Sequence, residues 1–360
     1  MSVVVYHFNM TLSRVAPAWI PDWIAAVVRQ GGLGVEVFFV ISGFVIAFSV
    51  REGVYTAKYL GLFALRRSIR LDPLYWFAIA LELATVALIS AYYRPTPFPS
   101  IGMILAHLIY AQDLLGYPHI LPVFWTLCYE IQFYLMFVGL LVVWGTTESR
   151  LSVKLRERAA TLGWAALFAV SLCVNHGWIE LPIHGLALER WFQFFLGVLT
   201  WWVMSRRVSW KAIAVAYVAI AASIVAARDT PIQLLPVVVS AFILAVNHRH
   251  ALGSVLGGRV LQFLGKISYS LYVFHRPIAE RWIVLLESLL GPRFDIAWAW
   301  VAFITALAIA LVVSELAWRF IEAPTMRLSK RIRLPSKRTR LEATTLPAAE
   351  PVPALGVGLG

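Results

Sequence analysis

Charged residues and cysteines are both scarce in this 360-residue chain. Only 14% of the residues are charged and 60% are hydrophobic, whereas soluble domains are usually about half apolar and about a quarter charged. The composition therefore excludes an ordinary soluble domain and predicts a protein dissolved in lipid. The two cysteines, Cys128 and Cys173, both lie in apolar runs. They exclude a disulfide framework and a cysteine-based zinc site, and we predict no metal site.

Acidic residues are also few: the chain has 19 Asp and Glu against 31 Lys and Arg, which gives a net charge of +12. Such an excess can indicate a nucleic-acid partner. Most of it lies in short segments between apolar runs and near the end of the chain, so membrane orientation explains it better, and we predict no nucleic-acid partner. No charged segment precedes the first apolar run, which argues against a cleavable signal peptide.

Apolar runs of spanning length recur along the chain. A spanning helix needs about 20 mostly apolar residues, because every backbone polar group must be paired inside the bilayer. Val3–Phe8 predicts the outer end of a first span that is cut short at Met1, and 101–117 is predicted to be re-entrant or to lie along the outer surface. We predict an all-α, polytopic integral membrane protein of about ten spans, the other nine near 33–50, 72–92, 121–145, 160–176, 188–204, 211–228, 231–246, 260–286 and 296–317.

The distribution of Lys and Arg orients these spans. Basic residues are concentrated in alternate connections and after residue 318, which by the positive-inside rule predicts that both termini are cytoplasmic. Residues 1–328 form the predicted membrane domain. Residues 329–360 are basic and then rich in Pro, Ala and Gly, which predicts a disordered cytoplasmic tail whose basic part contacts anionic lipid.

Three arginines, Arg66, Arg67 and Arg70, immediately precede an apolar run in which Pro73 marks the expected start of a membrane helix. Arg66 and Arg70 share a helical face. A guanidinium binds two oxygens at once, so such a cluster suits phosphate. The alternative is that the arginines serve only as an orientation signal.

Several predicted spans contain polar residues. A charged side chain at the centre of a bilayer costs about 2.5–3.5 kcal/mol on insertion scales, which makes each one a candidate functional residue. His7 is either a structural histidine or a catalyst, and Glu36 is either a structural pair-former or a functional carboxylate. Glu130, which shares a helical face with Trp125 and Phe133, is suited to orient His7, to hold an arginine or to bind a sugar hydroxyl.

Taken together, these segments resemble the membrane acyltransferase 3 family, whose ten-span members O-acylate polysaccharides and related glycoconjugates. The resemblance covers roughly residues 1–328, and each motif is weak alone. Six of them occur in register: His7, Gly34-x-Glu-x-Phe-Phe-x-x-Ser-Gly-Phe44, Arg67-x-x-Arg70 with Pro73 and Tyr75, Trp125-x-Leu-x-x-Glu130-x-x-Phe133-Tyr134, Gly265-x-Ile-Ser-Tyr-Ser-Leu-Tyr272-x-x-His275-x-Pro277, and Glu322-x-Pro324.

The resemblance implies transfer of an acyl group, usually acetyl, from cytoplasmic acyl-CoA to a sugar hydroxyl at the bacterial inner membrane. It implies a catalytic histidine, His7, which we expect to act as general base with Glu130 or Glu36 orienting it. Acetyl-CoA is then a co-substrate and not a bound cofactor, and the partners are a sugar, polysaccharide or glycolipid acceptor and membrane lipid. The expected donor-binding residues are Arg66, Arg67, Arg70 and Tyr75; the expected acceptor-binding or supporting residues are Trp125, Phe133, Tyr134, Ser268, Tyr272 and His275.

The sequence departs from the family pattern at two points. The family has an arginine about eleven residues before the histidine, but Met1 is only six residues before His7. We expect that the true start lies upstream; the alternative is an inactive, truncated member. Glu36 stands where the family commonly has Asp, which keeps the charge.

A second class of function, a transporter or flippase of a lipid-linked sugar, would require inverted repeats that the sequence does not contain. The acceptor stays open among O-antigen, exopolysaccharide, peptidoglycan, lipo-oligosaccharide and small glycosylated metabolites.

Overall fold

The computed structural model describes residues 1–51, 53–92, 97–146, 152–249 and 252–336, and within these ranges its regular structure is helical. Short 3₁₀ and π turns connect several of the helices. The α-helices are α1 (Ser2–Val15), α2 (Asp22–Arg29), α3 (Gly34–Ser49), α4 (Ala57–Tyr92), α5 (Ile101–Leu108), α6 (Trp125–Thr146), α7 (Val153–Asn175), α8 (Trp191–Met204), α9 (Trp210–Ala227), α10 (Leu235–His248), α11 (Leu252–Leu256), α12 (Arg259–Lys266), α13 (Ser268–Phe274), α14 (Arg281–Leu290), α15 (Ile296–Ala317) and α16 (Ala323–Arg331).

Seven helical stretches among the described residues are long and apolar enough to cross a membrane. The 14-residue α8 is apolar but shorter. The all-α, multi-pass class is therefore confirmed, whereas the count of ten spans is not. The seven stretches are Asp22–Ser49, Ala57–Tyr92, Pro122–Trp144, Lys154–Asn175, Trp210–Ala227, Pro231–His248 and Ile296–Arg331.

Helix α4 begins earlier than predicted. It starts at Ala57, so the arginine cluster lies inside the helix and Pro73 is an interior residue, not the first residue of a span. Proline has no backbone N–H and leaves the carbonyl four residues earlier, at Ile69, without its helical donor. The helical segment before Pro73 presents Arg67 and Arg70 to the neighbouring helices.

The predicted single span 260–286 is not one regular α-helix, because α12, α13, a π-helical segment (His275–Glu280) and α14 follow one another there. Pro277 lies in the π segment and cannot donate a hydrogen bond to the turn before it. Wider turns of this kind are frequent at functional sites. Here the wider turn places His275 in the interior, where its side chain is fully buried.

Helix α1 continues two turns beyond His7, to Val15, so His7 lies in its middle and not at its end. Phe8 and Leu12 are fully buried in a cluster that includes the alanines of α15. Those alanines recur at helical spacing, at 299, 302, 306 and 310, and are all buried. Small side chains at such positions allow two helices to approach closely, which fixes α1 against α15.

Helices α3 and α8 cross at two glycines. A Cβ atom at Gly43 would lie 1.8 Å from the carbonyl oxygen of Phe194, and one at Gly197 would lie 1.9 Å from that of Val40. The two backbones therefore pack directly on each other. This crossing fixes the position of α3, which carries Glu36 and Ser42, relative to the aromatic core around Phe133 and Phe194.

The segment 101–117 does not form a span. Its helix, α5, has eight residues and is too short to cross a bilayer. The following loop is held by the buried His107, whose Nδ1 lies 2.7 Å from the Met103 carbonyl and whose Nε2 accepts from the Ile120 N–H at 3.0 Å.

The end of the described chain folds back on the loop between α3 and α4. The Val54 N–H donates to the Pro335 carbonyl at 3.1 Å, next to a bridge between Gly53 and Ser336. Helix α16 extends to Arg331, so the first part of the predicted tail is structured. The rest of the predicted disordered tail, from 337 onward, lies outside the described residues.

The glycine crossing gives a stability prediction. Gly43→Ala forces apart the backbones of α3 and α8 and should cost at least the 1–3 kcal/mol or so that overpacking a core costs. We expect a clearly lower apparent unfolding temperature for the detergent-purified variant, followed by the fluorescence of the 15 tryptophans. Gly139→Ala is the matched control, because a Cβ there meets nothing within 4 Å. Equal unfolding temperatures for the two variants would contradict the crossing.

Candidate active site

Two histidines from distant parts of the chain meet in the interior. Nδ1 of His7, on α1, lies 2.9 Å from Nε2 of His275, and the two rings stack with centroids 5.0 Å apart. His275 is fully buried, whereas His7 lines a cavity. The contact joins α1 to the π-helical break, so the break serves to present His275 to His7.

The hydrogen-bond partners fix the tautomers of both rings. Nδ1 of His275 lies 2.8 Å from the Tyr272 carbonyl, which can only accept, so Nδ1 carries the hydrogen. In neutral His275 the other nitrogen, Nε2, is then an acceptor, and His7 must donate to it from Nδ1. The remaining nitrogen of His7, Nε2, is left with a free lone pair. A neutral imidazole in this tautomer is arranged to take a proton at Nε2.

His7 opens onto a cavity of about 290 Å³, which we call the outer cavity. It lies at the N-terminal end of α6, where Pro122 and Trp125 contribute to its wall. By the predicted orientation this end of α6 faces away from the cytoplasm. The residues lining the outer cavity are Val3, Tyr6, His7, Gly32, Val35, Pro122, Val123, Trp125 and Tyr272.

A second cavity, of about 360 Å³, contains the arginine turn of α4, and we call it the arginine cavity. Arg67 and Arg70 both line it, together with Glu130 and Tyr134 of α6 and Ser268 of α13. Much of the remaining wall is apolar, from α1 and α3. Two guanidiniums and one carboxylate leave this cavity with an excess of positive charge, which favours an anionic ligand group.

The polar groups of the arginine cavity form one network. Ser42 donates to Glu130 Oε1 at 2.7 Å, and Tyr134 donates to the same oxygen. The Arg67 guanidinium lies over the Tyr134 ring, 4.8 Å from its centroid. Among the described residues, Arg70 Nε has no hydrogen-bond partner. The Tyr134 ring, held by this network, therefore fixes the Arg67 guanidinium, while the Nε–H of Arg70 remains available to donate to a ligand.

The two cavities share a wall formed by Val3, Val35 and Tyr272, which line both of them. Tyr272 is held firmly, because its hydroxyl donates to the Val123 carbonyl at 2.8 Å and lies 2.5 Å from the Thr126 hydroxyl. Its ring is parallel to that of Phe38. A single layer of side chains thus separates the cavity that contains the arginines from the cavity that contains His7.

Three predicted site residues lie elsewhere. Tyr75 is fully buried and stacks on Tyr110, so it is a core residue and not part of the arginine cavity. Phe133 is fully buried against Phe194 and does not reach either cavity. Arg66 is not among the residues that line the arginine cavity.

Among the described residues, no hydrogen bond joins His7 to Glu130 or Glu36, the two carboxylates predicted to orient it. Glu130 belongs to the arginine cavity and is bonded to Ser42 and Tyr134. Glu36 interacts with Arg190, and among the described residues its Oε2 has no hydrogen-bond partner. The orienting group of His7 is His275, which the sequence motif contains but whose contact, across 268 positions, no spacing reveals.

A charged group beside the histidines was also missed. Arg276 forms an ion pair with Glu280, with Nε 2.6 Å from Oε2, and Thr11 of α1 donates to Glu280 Oε1 at 2.5 Å. Glu280 balances the charge of Arg276 near His7. Its hydrogen bond with Thr11 connects the π segment to α1 a second time. The signal was available in the sequence, as an Arg and a Glu at i and i+4 within an apolar run.

Comparison with known proteins identifies the class. The family model described as "Acyltransferase domain" matches residues 1–315, and the chain belongs to this family, the acyltransferase 3 family that its motifs resemble. A curated relative is the peptidoglycan O-acetyltransferase OatA of Listeria monocytogenes serovar 1/2a, which is 25% identical over 363 aligned residues that cover 90% of this chain and 53% of the relative. The chain thus spans about half the length of that relative. No solved structure matches.

The tautomers are directly testable by nitrogen-15 NMR of histidine-labelled protein in lipid. We expect His7 to carry its hydrogen on Nδ1, with a coupling through the hydrogen bond to Nε2 of His275. His275→Phe keeps an aromatic ring but removes the acceptor, so the coupling should vanish and His7 should populate both tautomers. His176→Phe, which changes a histidine outside this site, is the control. A His7 ring protonated at Nε2 in the unaltered protein would refute the arrangement.

Proposed function

We propose that this chain is an integral membrane O-acyltransferase that moves an acyl group, in the simplest case acetyl, from cytoplasmic acyl-CoA to a hydroxyl of a cell-surface glycan. The observation that carries the proposal is the pair of cavities that meet at one wall. One cavity offers cations to the donor, and the other offers a free imidazole nitrogen to the acceptor. Membership in the acyltransferase family supports the reaction type.

The donor binds from the side of the arginine turn. The phosphates of CoA carry negative charge and suit Arg67 and Arg70, of which Arg70 has an uncommitted N–H. The cavity of about 360 Å³ is too small for the whole cofactor but suits its narrow pantetheine arm, since its remaining wall is largely apolar. The acyl thioester then reaches the wall formed by Val3, Val35 and Tyr272. The orientation predicted from the Lys and Arg distribution supports a cytoplasmic position for this cavity, on the side where acyl-CoA is available.

The acceptor hydroxyl binds in the outer cavity, within reach of His7. Nε2 of His7 takes the hydroxyl proton while the acceptor oxygen attacks the thioester carbonyl. The carbon–sulfur bond breaks, CoA leaves as its thiolate, and the proton on His7 returns to that sulfur. His275 positions His7 by accepting from Nδ1 throughout, so the ring keeps its orientation when it becomes an imidazolium.

The acceptor class follows from the outer cavity and from the relative. Trp125 offers an aromatic side chain to the C–H face of a sugar ring, and Tyr6 and His7 add polar groups for its hydroxyls. The relative is a peptidoglycan O-acetyltransferase by name. We therefore propose a polysaccharide or its lipid-linked precursor as the acceptor.

The catalytic role of His7 is testable in membranes that contain the protein, given radiolabelled acetyl-CoA and peptidoglycan fragments. His7→Ala should reduce base-labile label in the glycan by roughly 10²–10⁴-fold, the usual contribution of a general base. His248→Ala, which removes an exposed histidine at the end of α10, controls for lost histidines in general. Full transfer by His7→Ala would refute the role.

The donor site is testable by comparing adjacent arginines. Arg70→Gln removes a guanidinium that lines the arginine cavity, and Arg66→Gln removes one that does not. We expect the KM for acetyl-CoA to rise about tenfold or more in Arg70→Gln, since a hydrogen bond to a charged group contributes about 1.5–3 kcal/mol. The KM for the glycan should change much less.

An equal effect of Arg66→Gln and Arg70→Gln on the KM for acetyl-CoA would mean that only the net charge of the turn matters. That result would contradict a built phosphate site in the arginine cavity.

A further inference from the structure

A third cavity, of about 420 Å³, opens between the end of α7 and the start of α8, on the same side of the protein as the outer cavity. Its polar lining residues are Asn175, Glu180, His184, Glu189 and Arg190. Neither the arginine cavity nor the His7 site contains any of them. We propose that this cavity is a second glycan subsite, which holds a part of an oligosaccharide acceptor away from the acylated hydroxyl. The inference rests on the proposed function.

The third cavity adjoins the outer cavity through one turn of α6. Trp125 lines the outer cavity, and its ring contacts that of Tyr129 at a centroid distance of 5.7 Å. The Tyr129 hydroxyl donates to Glu189 Oε2 at 2.5 Å, and Glu189 lines the third cavity. Two aromatic side chains therefore separate the cavities. A monosaccharide held at His7 is confined to the outer cavity, whereas an oligosaccharide passing over these rings reaches both.

The floor of the third cavity is rigid before any ligand binds. Glu189 Oε1 accepts from the Gly185 N–H at 2.8 Å, and Gln132 of α6 bonds the same loop at Gly185 and Ala187. Gly185 has φ +79° and faces Asp113 so closely that a Cβ would lie 2.3 Å from it. Arg190 donates to the Asn175 side chain at 3.1 Å. A floor ordered in this way binds a ligand without a further entropic cost of ordering.

Two side chains above this floor are uncommitted. Among the described residues, Glu180 and His184 have no hydrogen-bond or ion-pair partner, and both are exposed in the cavity. A carboxylate accepts from sugar hydroxyls and an imidazole both donates and accepts. Ile179 and Leu181 add apolar surface beside them, as the C–H face of a sugar requires.

The charges argue against other ligands. Two carboxylates, Glu180 and Glu189, face one guanidinium, so a phosphate would meet more repulsion than attraction. No group of three or more His, Cys, Asp or Glu side chains suited to a metal ion occurs in the part of the chain that the structure describes. A neutral, hydroxyl-rich ligand fits both observations.

The test compares two acceptors, N-acetylglucosamine and chitotetraose, with acetyl-CoA as donor. We divide kcat/KM for the tetrasaccharide by kcat/KM for the monosaccharide. This ratio should fall about tenfold in the variant that combines Glu180→Gln and His184→Ala, because the variant lacks hydrogen bonds that only the longer acceptor makes. Glu157→Gln, the same change at an exposed carboxylate on the opposite side of the membrane domain, should leave the ratio as it is. An unchanged ratio in the double variant overturns the subsite.

A binding measurement separates this inference from the proposed function. Chitotetraose should bind saturably to detergent-purified His7→Ala protein, and the addition of Glu180→Gln and His184→Ala should weaken its Kd about tenfold. If no variant transfers acetyl but this weakening is found, the proposed reaction fails and the subsite stands. Absence of saturable binding, or equal Kd values, overturns the subsite whether or not acetyl is transferred.

Discussion

The hydrogen bond between His7 and His275 is the interaction on which the arrangement of the site depends. It connects the first helix to the π-helical segment that contains Pro277. The wider turn of this segment places His275 in the interior, where it meets His7. The Tyr272 carbonyl fixes the His275 ring, and the His275 ring fixes that of His7. The free lone pair on Nε2 of His7 is therefore left for the outer cavity. Thr11 and Glu280 join the same two elements again and keep them in register.

The shared wall suits the reaction that we propose. In that reaction a charged donor and a hydrophilic acceptor approach from opposite sides, and only the small acyl group has to cross between them. Two hydrogen bonds hold Tyr272 at the point where the cavities meet, so the passage between them lies beside a fixed ring. In this proposal the arginine network and the histidine pair serve separate substrates across one layer of side chains.

The sequence predicted the class of fold and the family, because apolar runs and their charged connections follow directly from the bilayer. It predicted His7, Arg67 and Arg70, which line the cavities, together with Tyr75 and Phe133, which lie in the core, since a motif does not distinguish a cavity residue from a core residue one turn away. It also gave His7 a carboxylate partner by analogy with hydrolytic triads. The true partner depends on a π turn, and the α3–α8 contact depends on Gly43 and Gly197 meeting across the fold; neither is encoded in local spacing.

We propose that the donor and the acceptor react from opposite sides of the membrane. Proteoliposomes that hold the protein in both orientations test this, with labelled acetyl-CoA and chitotetraose placed on the same side or on opposite sides. We expect label in the glycan only when the two substrates are on opposite sides, whichever side holds the donor. Transfer that requires both substrates outside, and that stops when one of them is enclosed, would contradict the two-cavity account.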